Sequence, residues 1–80
     1  MEIKVLGTGC PKCKMTFKHV QKALEKLKLE DVNVMKVESM EDIMKYNILS
    51  TPALVIDEEI MVIGRVATVK EIVKLIEDKQ

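Results

Sequence analysis

Eighty residues, 48% of them apolar and almost none aromatic, make one small domain, 1–80, whose core must be built from Val, Ile, Leu and Met. The formal net charge is zero, so there is no bulk field of the kind that nucleic acid or an anionic membrane attracts. No apolar run approaches the roughly 20 residues of a membrane span, and Met1-Glu2-Ile3-Lys4 lacks a basic-then-apolar leader, so a cytoplasmic protein is expected.

Ile3 to Leu6 reads as a first strand, closed by the turn residues Gly7-Thr8-Gly9. Pro11 suits the first position of a helix, where its missing N–H has no intrahelical role. That helix is predicted to reach Leu27 or Lys28. Its apolar stripe is Cys13, Phe17, Val20, Leu24 and Leu27, and its polar face is Lys12, Lys18, Lys22, Glu25 and Lys26. Val32 to Val37 reads as a second strand. Ser39 and Asp42 have the spacing of a capping box, which starts a second helix with Met40, Ile43 and Met44 facing inward. Asn47 suits the left-handed residue that ends it.

Pro52 opens a third strand, Ala53 to Ile56. Asp57-Glu58-Glu59 is read as a turn, and Ile60 to Ile63 as a fourth strand that pairs back as a hairpin. Thr68 and Glu71 form a second capping box, followed by Val69, Ile72, Val73 and Ile76 at helical spacing. The order is βαβαββα. The first βαβ unit requires a parallel pair joined by a right-handed crossover, and the hairpin adds antiparallel strands. The predicted class is α/β, with a central mixed four-stranded sheet flanked by helices.

Chemistry concentrates at Cys10-Pro11-Lys12-Cys13. Two cysteines one helical turn apart lie within disulfide range. Cys10 stands just before the helix, where unpaired N–H groups and the positive end of the dipole favour thiolate. Lys12 and Lys14 add positive charge nearby. A thiolate is the form that attacks a disulfide. Cys13 belongs to the apolar stripe and is expected to be more buried and less ionised. Cys10 is therefore the expected nucleophile and Cys13 the resolving thiol. Residues 1–28 carry seven lysines against Glu2 and Glu25, which reads as a solvated helix face.

The same spacing is also half of a zinc site, which within one chain wants four ligands. Beside the two cysteines the chain offers His19, which sits on a different helix face, where a solvated surface histidine is expected. No metal is assigned. The expected redox group is the Cys10–Cys13 disulfide itself, with no added cofactor. Gly7-x-Gly9 lacks the third glycine and acidic partner of a dinucleotide fingerprint.

The stretch Tyr46-Asn47-Ile48-Leu49-Ser50-Thr51-Pro52-Ala53-Leu54 resembles the Tyr-Gly-Ile turn of thioredoxins, which leads to a proline, a small residue and Leu at the start of a strand. Asn47 stands where Gly is usual, and both tolerate a left-handed turn. With Gly7 to Cys13 and Ile63-Gly64-Arg65-Val66, the whole chain resembles the short thioredoxin-like, glutaredoxin-like redox-active disulfide proteins. Gly9 replaces the Trp that precedes the cysteines in typical thioredoxins, Lys12 takes the Tyr position of glutaredoxins, and Gly64-Arg65 half matches their Gly-Gly pair.

The resemblance implies a thioredoxin-like fold and thiol–disulfide oxidoreductase activity. It implies a cis Thr51–Pro52 bond lying against Cys10, with Pro11 and Lys12 also shaping the site. Gly64 is further expected to allow a close backbone approach near Pro52 and Cys10, and Pro11, Ile48 and Val66 to provide an apolar docking surface. The partners it implies are disulfide-containing proteins and, as electron donor, a reductase or a low-molecular-weight thiol. No nucleic-acid or membrane partner is expected, and a monomer is.

Two other readings remain open on sequence. A metallochaperone of the heavy-metal-associated type also places Cys-x-x-Cys between a first strand and helix, and thiolates there bind Cu(I). Such domains run βαββαβ and end in a strand, and carry Met where this chain has Thr8. A thioredoxin-fold interaction module without catalysis would instead have a buried, unreactive Cys10.

Overall fold

The computed structural model describes residues 1–48 and 50–79. Its elements are β1 (Glu2–Leu6), α1 (Pro11–Leu27), β2 (Asn33–Val37), α2 (Met40–Met44), β3 (Ala53–Ile56), β4 (Glu59–Ile63) and α3 (Val69–Lys79). The sheet order is β2-β1-β3-β4. β1 pairs parallel with β2, Ile3 beside Val34, and antiparallel with β3, Val5 beside Leu54. β3 and β4 form the hairpin. The mixed four-stranded sheet and the order βαβαββα are those expected.

Alternation along β1 divides the core between the two faces of the sheet. Ile3 and Val5 join Leu54, Ile56 and Val62 under α1 and α3, against Val20, Ala23, Ile72 and Ile76. Leu6 joins Ala53 and Val55 on the other face, against Ile43 of α2. β3 lies between two strands and is covered on both faces, so all four of its residues are buried.

Four local expectations change. The hairpin turn is Asp57-Glu58 alone, because Glu59 already pairs with Ile56. Both turn residues have positive φ, 49° and 66°, as a two-residue turn matched to strand twist requires. The usual Asn-Gly signal for that turn is missing from the sequence. The most buried line of α1 is Cys13, Thr16, Val20 and Ala23, while Phe17, Leu24 and Leu27 flank it. Small residues let α1 approach the sheet and α3, and the Thr16 hydroxyl donates to the Lys12 carbonyl at 3.0 Å, which satisfies it inside the core.

In α2, Ser39 makes no side-chain cap bond. Met40 and Met44 are 58% and 65% exposed, and only Ile43 is buried. A five-residue helix turns little more than once and offers a single position to the sheet. The second strand begins at Asn33 rather than Val32. Asn47 does adopt the left-handed conformation, with φ 55°.

The second capping box forms as expected. The Glu71 N–H donates to Thr68 Oγ1 at 3.1 Å, and the Thr68 N–H donates to Glu71 Oε1 at 3.2 Å. Arg65 adds a two-pronged contact to the same carboxylate. The Arg65 guanidinium, first, and the Thr68 N–H hold the Glu71 carboxyl down at about 2. A carboxyl depressed by folding adds stability that is present above its unfolded pKa and is lost as pH falls towards the folded value. Replacing Thr68 with Ala is expected to cost about 1 kcal/mol in urea unfolding. Glu71→Gln is expected to flatten the loss of stability between about pH 4.5 and the folded value near 2. Unchanged midpoints in both variants would exclude a stabilising cap.

Candidate active site

The chain leaves β1 through Gly7-Thr8-Gly9 and re-enters regular structure at Pro11. Gly9 has φ +89°, a conformation that favours glycine. Cys10 then takes the extended N-cap position, φ −68° and ψ 162°. Its sulfur does the work usually given to a Ser or Asp oxygen: the Cys13 N–H donates to Cys10 Sγ at 3.3 Å. Its carbonyl accepts from the Lys14 N–H at 3.0 Å. Pro11 occupies the helix start as predicted.

Both cysteines are free, with their sulfurs 2.6 Å apart; Cys10 is half-buried and Cys13 buried. The Cys13 thiol, first, and the Cys13 N–H bring the Cys10 pKa below that of an ordinary thiol. Burial, first, and the hydrogen bond to Cys10 push Cys13 the other way. The first turn contains no acidic residue, and Lys12 and Lys14 are exposed beside it. The pair thus consists of one thiol poised to ionise at the surface and one held protonated beneath it.

The Thr51–Pro52 bond is cis. Pro52 is buried, and its carbonyl accepts from the Gly64 N–H at 2.8 Å. A Cβ on Gly64, whose φ is +75°, would lie 3.1 Å from Ser50 Cβ. Gly64 thus lies close to the proline loop at the end of β4. Ile48 is half-buried against the cluster under α2. Val66 is half-buried next to the buried Ala67. Leu49, within the stretch that carries the resemblance, lies outside the described residues.

One residue of the site has no motif to announce it. Gly7 is buried between the Cys13 thiol and the proline loop. A Cβ there would stand 2.1 Å from Cys13 Sγ, 2.9 Å from Cys13 Cβ and 4.0 Å from Thr51 Cβ. The missing side chain is the space that Cys13 occupies. The only sequence signal was a glycine placed directly after a strand that leads to a reactive cysteine.

His19 departs from expectation. It is half-buried, and its Nδ1 donates to the Ala67 carbonyl at 2.7 Å, so it ties α1 to the segment before α3. Helical spacing alone placed it away from the core, and the packing of α3 against α1 covers it. Among the described residues, no group of three or more His, Cys, Asp or Glu could hold a metal ion. A cavity of about 50 Å³ reaches Cys13 between Gly7, Gly9 and the end of β2.

The model of the thioredoxin domain family matches residues 1–77. The chain belongs to that family. It is 34% identical over 76 residues to a thioredoxin of Methanothermobacter thermautotrophicus, covering 95% of this chain and 97% of that one. It is 37% identical over 70 residues to a thioredoxin of Methanocaldococcus jannaschii, covering 88% and 79%. It is a thioredoxin-type redox protein, with the mixed sheet, flanking helices and cysteine pair of that family. Among the described residues no helix is long and apolar enough to cross a membrane.

Within this thioredoxin frame, Gly7→Ala forces Cys13 to move and overpacks the core, at an expected cost of about 1–3 kcal/mol. It should also slow closure of the intrachain disulfide, read by mass after alkylation. Closure at the wild-type rate would show that the space beside Cys13 is not needed. Ultraviolet titration of the thiolates is expected to give two steps belonging to the pair, the first below and the second above an ordinary thiol. A single ordinary step would exclude the asymmetry.

Proposed function

We propose that this thioredoxin-family protein exchanges electrons with disulfides through Cys10 and Cys13. The observation that carries the reading is the asymmetry of the pair: the half-buried Cys10 sulfur caps α1 and is favoured as thiolate, and the buried Cys13 is not. The Cys10 thiolate attacks a substrate disulfide, forming a mixed disulfide and releasing one substrate thiolate. Cys13 then attacks Cys10 Sγ. The mixed disulfide breaks, the second substrate sulfur leaves with the electron pair, and the intrachain disulfide forms. Two electrons pass from the dithiol to the substrate.

Pro11 and Lys12 shape the rim of the nucleophile, and Lys12 adds positive charge that favours thiolate. Thr51 and Pro52 present the backbone along which an extended substrate lies, and Gly64, bonded to the Pro52 carbonyl, fixes that loop. Ile48 and Val66 supply partly exposed apolar surface for docking. The substrates are disulfide-bearing proteins, and a reductase or a low-molecular-weight thiol returns the electrons to a monomeric, cytoplasmic protein. A heavy-metal carrier of the βαββαβ kind is disfavoured by the order of elements, in which α2 separates β2 from β3.

The test is a redox titration of the metal-free protein in dithiol buffers, with free thiols counted by alkylation and mass. One two-electron transition involving both Cys10 and Cys13 is expected, and its midpoint sets the direction of exchange. Protection of the thiols by added Cu(I) or Zn(II), with no such transition, would transfer the reading to a metal carrier. Cys13→Ser is expected to accumulate a mixed disulfide at Cys10, and Cys10→Ser to abolish turnover.

A further inference from the structure

Gly64 to Ala67 carry the chain from the end of β4 towards α3, beside the proline loop. These residues belong to no helix or strand, so no ladder of bonds fixes their path. Separate ties hold them instead. At one end the Gly64 N–H donates to the Pro52 carbonyl at 2.8 Å. Arg65 reaches forward to Glu71 of α3. At the other end His19 Nδ1, from α1, donates to the Ala67 carbonyl at 2.7 Å. Val66 stands half-buried between these ties. Among the described residues no backbone bond holds Val66 itself.

The tie from His19 meets a specific need. Ala67 is fully buried, and a buried carbonyl without a donor is costly. Among the described residues no backbone N–H supplies one; the carbonyl that accepts from the first turn of α3 is that of Thr68. The donor therefore comes from a side chain of α1. The neighbouring Met15, Lys18 and Lys22 are exposed, and His19 alone turns in. An imidazole places its donor on a flat ring two bonds beyond Cβ, so the bond sets a direction as well as a distance. A purely apolar residue at this position would fill the space and leave the carbonyl unpaired.

We propose that His19 is a positioning residue for substrate docking, which sets where Val66 stands by holding the Ala67 carbonyl. The inference rests on the dithiol reading above, in which Val66 belongs to the docking surface, and adds a residue that touches neither sulfur nor substrate. α1 carries the cysteines at its start and this tie six residues beyond Cys13, about 9 Å along the axis. One rigid helix thereby fixes both the reacting sulfur and the segment on which a protein substrate rests.

Two substrates separate docking from chemistry. A dithiobis-nitrobenzoate disulfide is small and reports attack by the sulfurs. Insulin, with dithiothreitol as electron source, is a protein disulfide that must dock. His19→Leu is expected to raise KM for insulin on the order of tenfold, because small misplacements are costly where orientation matters. The insulin kcat and the rate with the small disulfide should stay unchanged. His19→Asn should restore KM to within about twofold, since its amide nitrogen also stands two bonds beyond Cβ. Val66→Ala should raise the insulin KM in the wild type and add little in His19→Leu, as two changes acting through one contact do. Should His19→Leu not fold, His19→Gln takes its place with the same expected rise, because its donor lies one bond further out.

An unchanged insulin KM in His19→Leu, even with a lowered urea midpoint, overturns the proposal and leaves His19 a structural tie. So does a loss shared equally by both substrates, failure of His19→Asn to restore KM, or full additivity with Val66→Ala. A wild type that reduces the small disulfide and not insulin also overturns it. One that reduces neither overturns the dithiol reading itself.

Discussion

The first turn of any helix leaves backbone N–H groups without carbonyl partners. In this protein one of them, that of Cys13, falls on the sulfur of Cys10. That contact caps the start of α1 and, after the Cys13 thiol, helps lower the Cys10 pKa, while burial raises that of Cys13. It depends on Cys10 being extended while Pro11 is already helical, so the chain must turn sharply between β1 and the helix. Gly9 provides the turn through its positive φ. The thiol chemistry is thus a property of where a helix begins.

Close packing holds that start in place. α1 lies against the sheet and α3 along Thr16, Val20 and Ala23, with Ala67 buried beside them. Gly7 brings β1 so near Cys13 that a methyl group would not fit. Small residues at these points do more than fill space, because they fix how far the Cys13 sulfur sits from the proline loop. An interior at crystal-like density leaves few ways to shift one such contact alone.

The proline loop is held from two directions. Gly64 bonds to it from the end of β4. At its start, the Tyr46 hydroxyl accepts from Lys4 Nζ at 2.9 Å and donates to Glu58 of the hairpin turn at 3.3 Å. Lys4 also pairs with Glu58, and this partner, ahead of Tyr46, raises the Lys4 pKa while lowering that of Glu58. The half-buried lysine of β1 is thereby satisfied, and the segment after α2 is tied to the hairpin turn. Met35, Met40 and Met44 are exposed and lie outside the core.

By itself, the sequence determined the order of elements, the parallel and antiparallel pairings, the working capping box at Thr68 and Glu71, and the cysteine pair at a helix start. These follow from period, turn chemistry and capping, all of which act over a few residues. It also carried the proline loop, through its likeness to a known family. The tertiary structure alone decided what depends on distant chain segments meeting. Gly7 became part of the site because Cys13 arrives beside it, and His19 became a tie because α3 covers it. Met40 and Met44 stayed outside because so short a helix offers one position to the sheet. Local pattern fixes which residues can form an element, whereas which side chains touch is set by the packing of elements far apart in the chain.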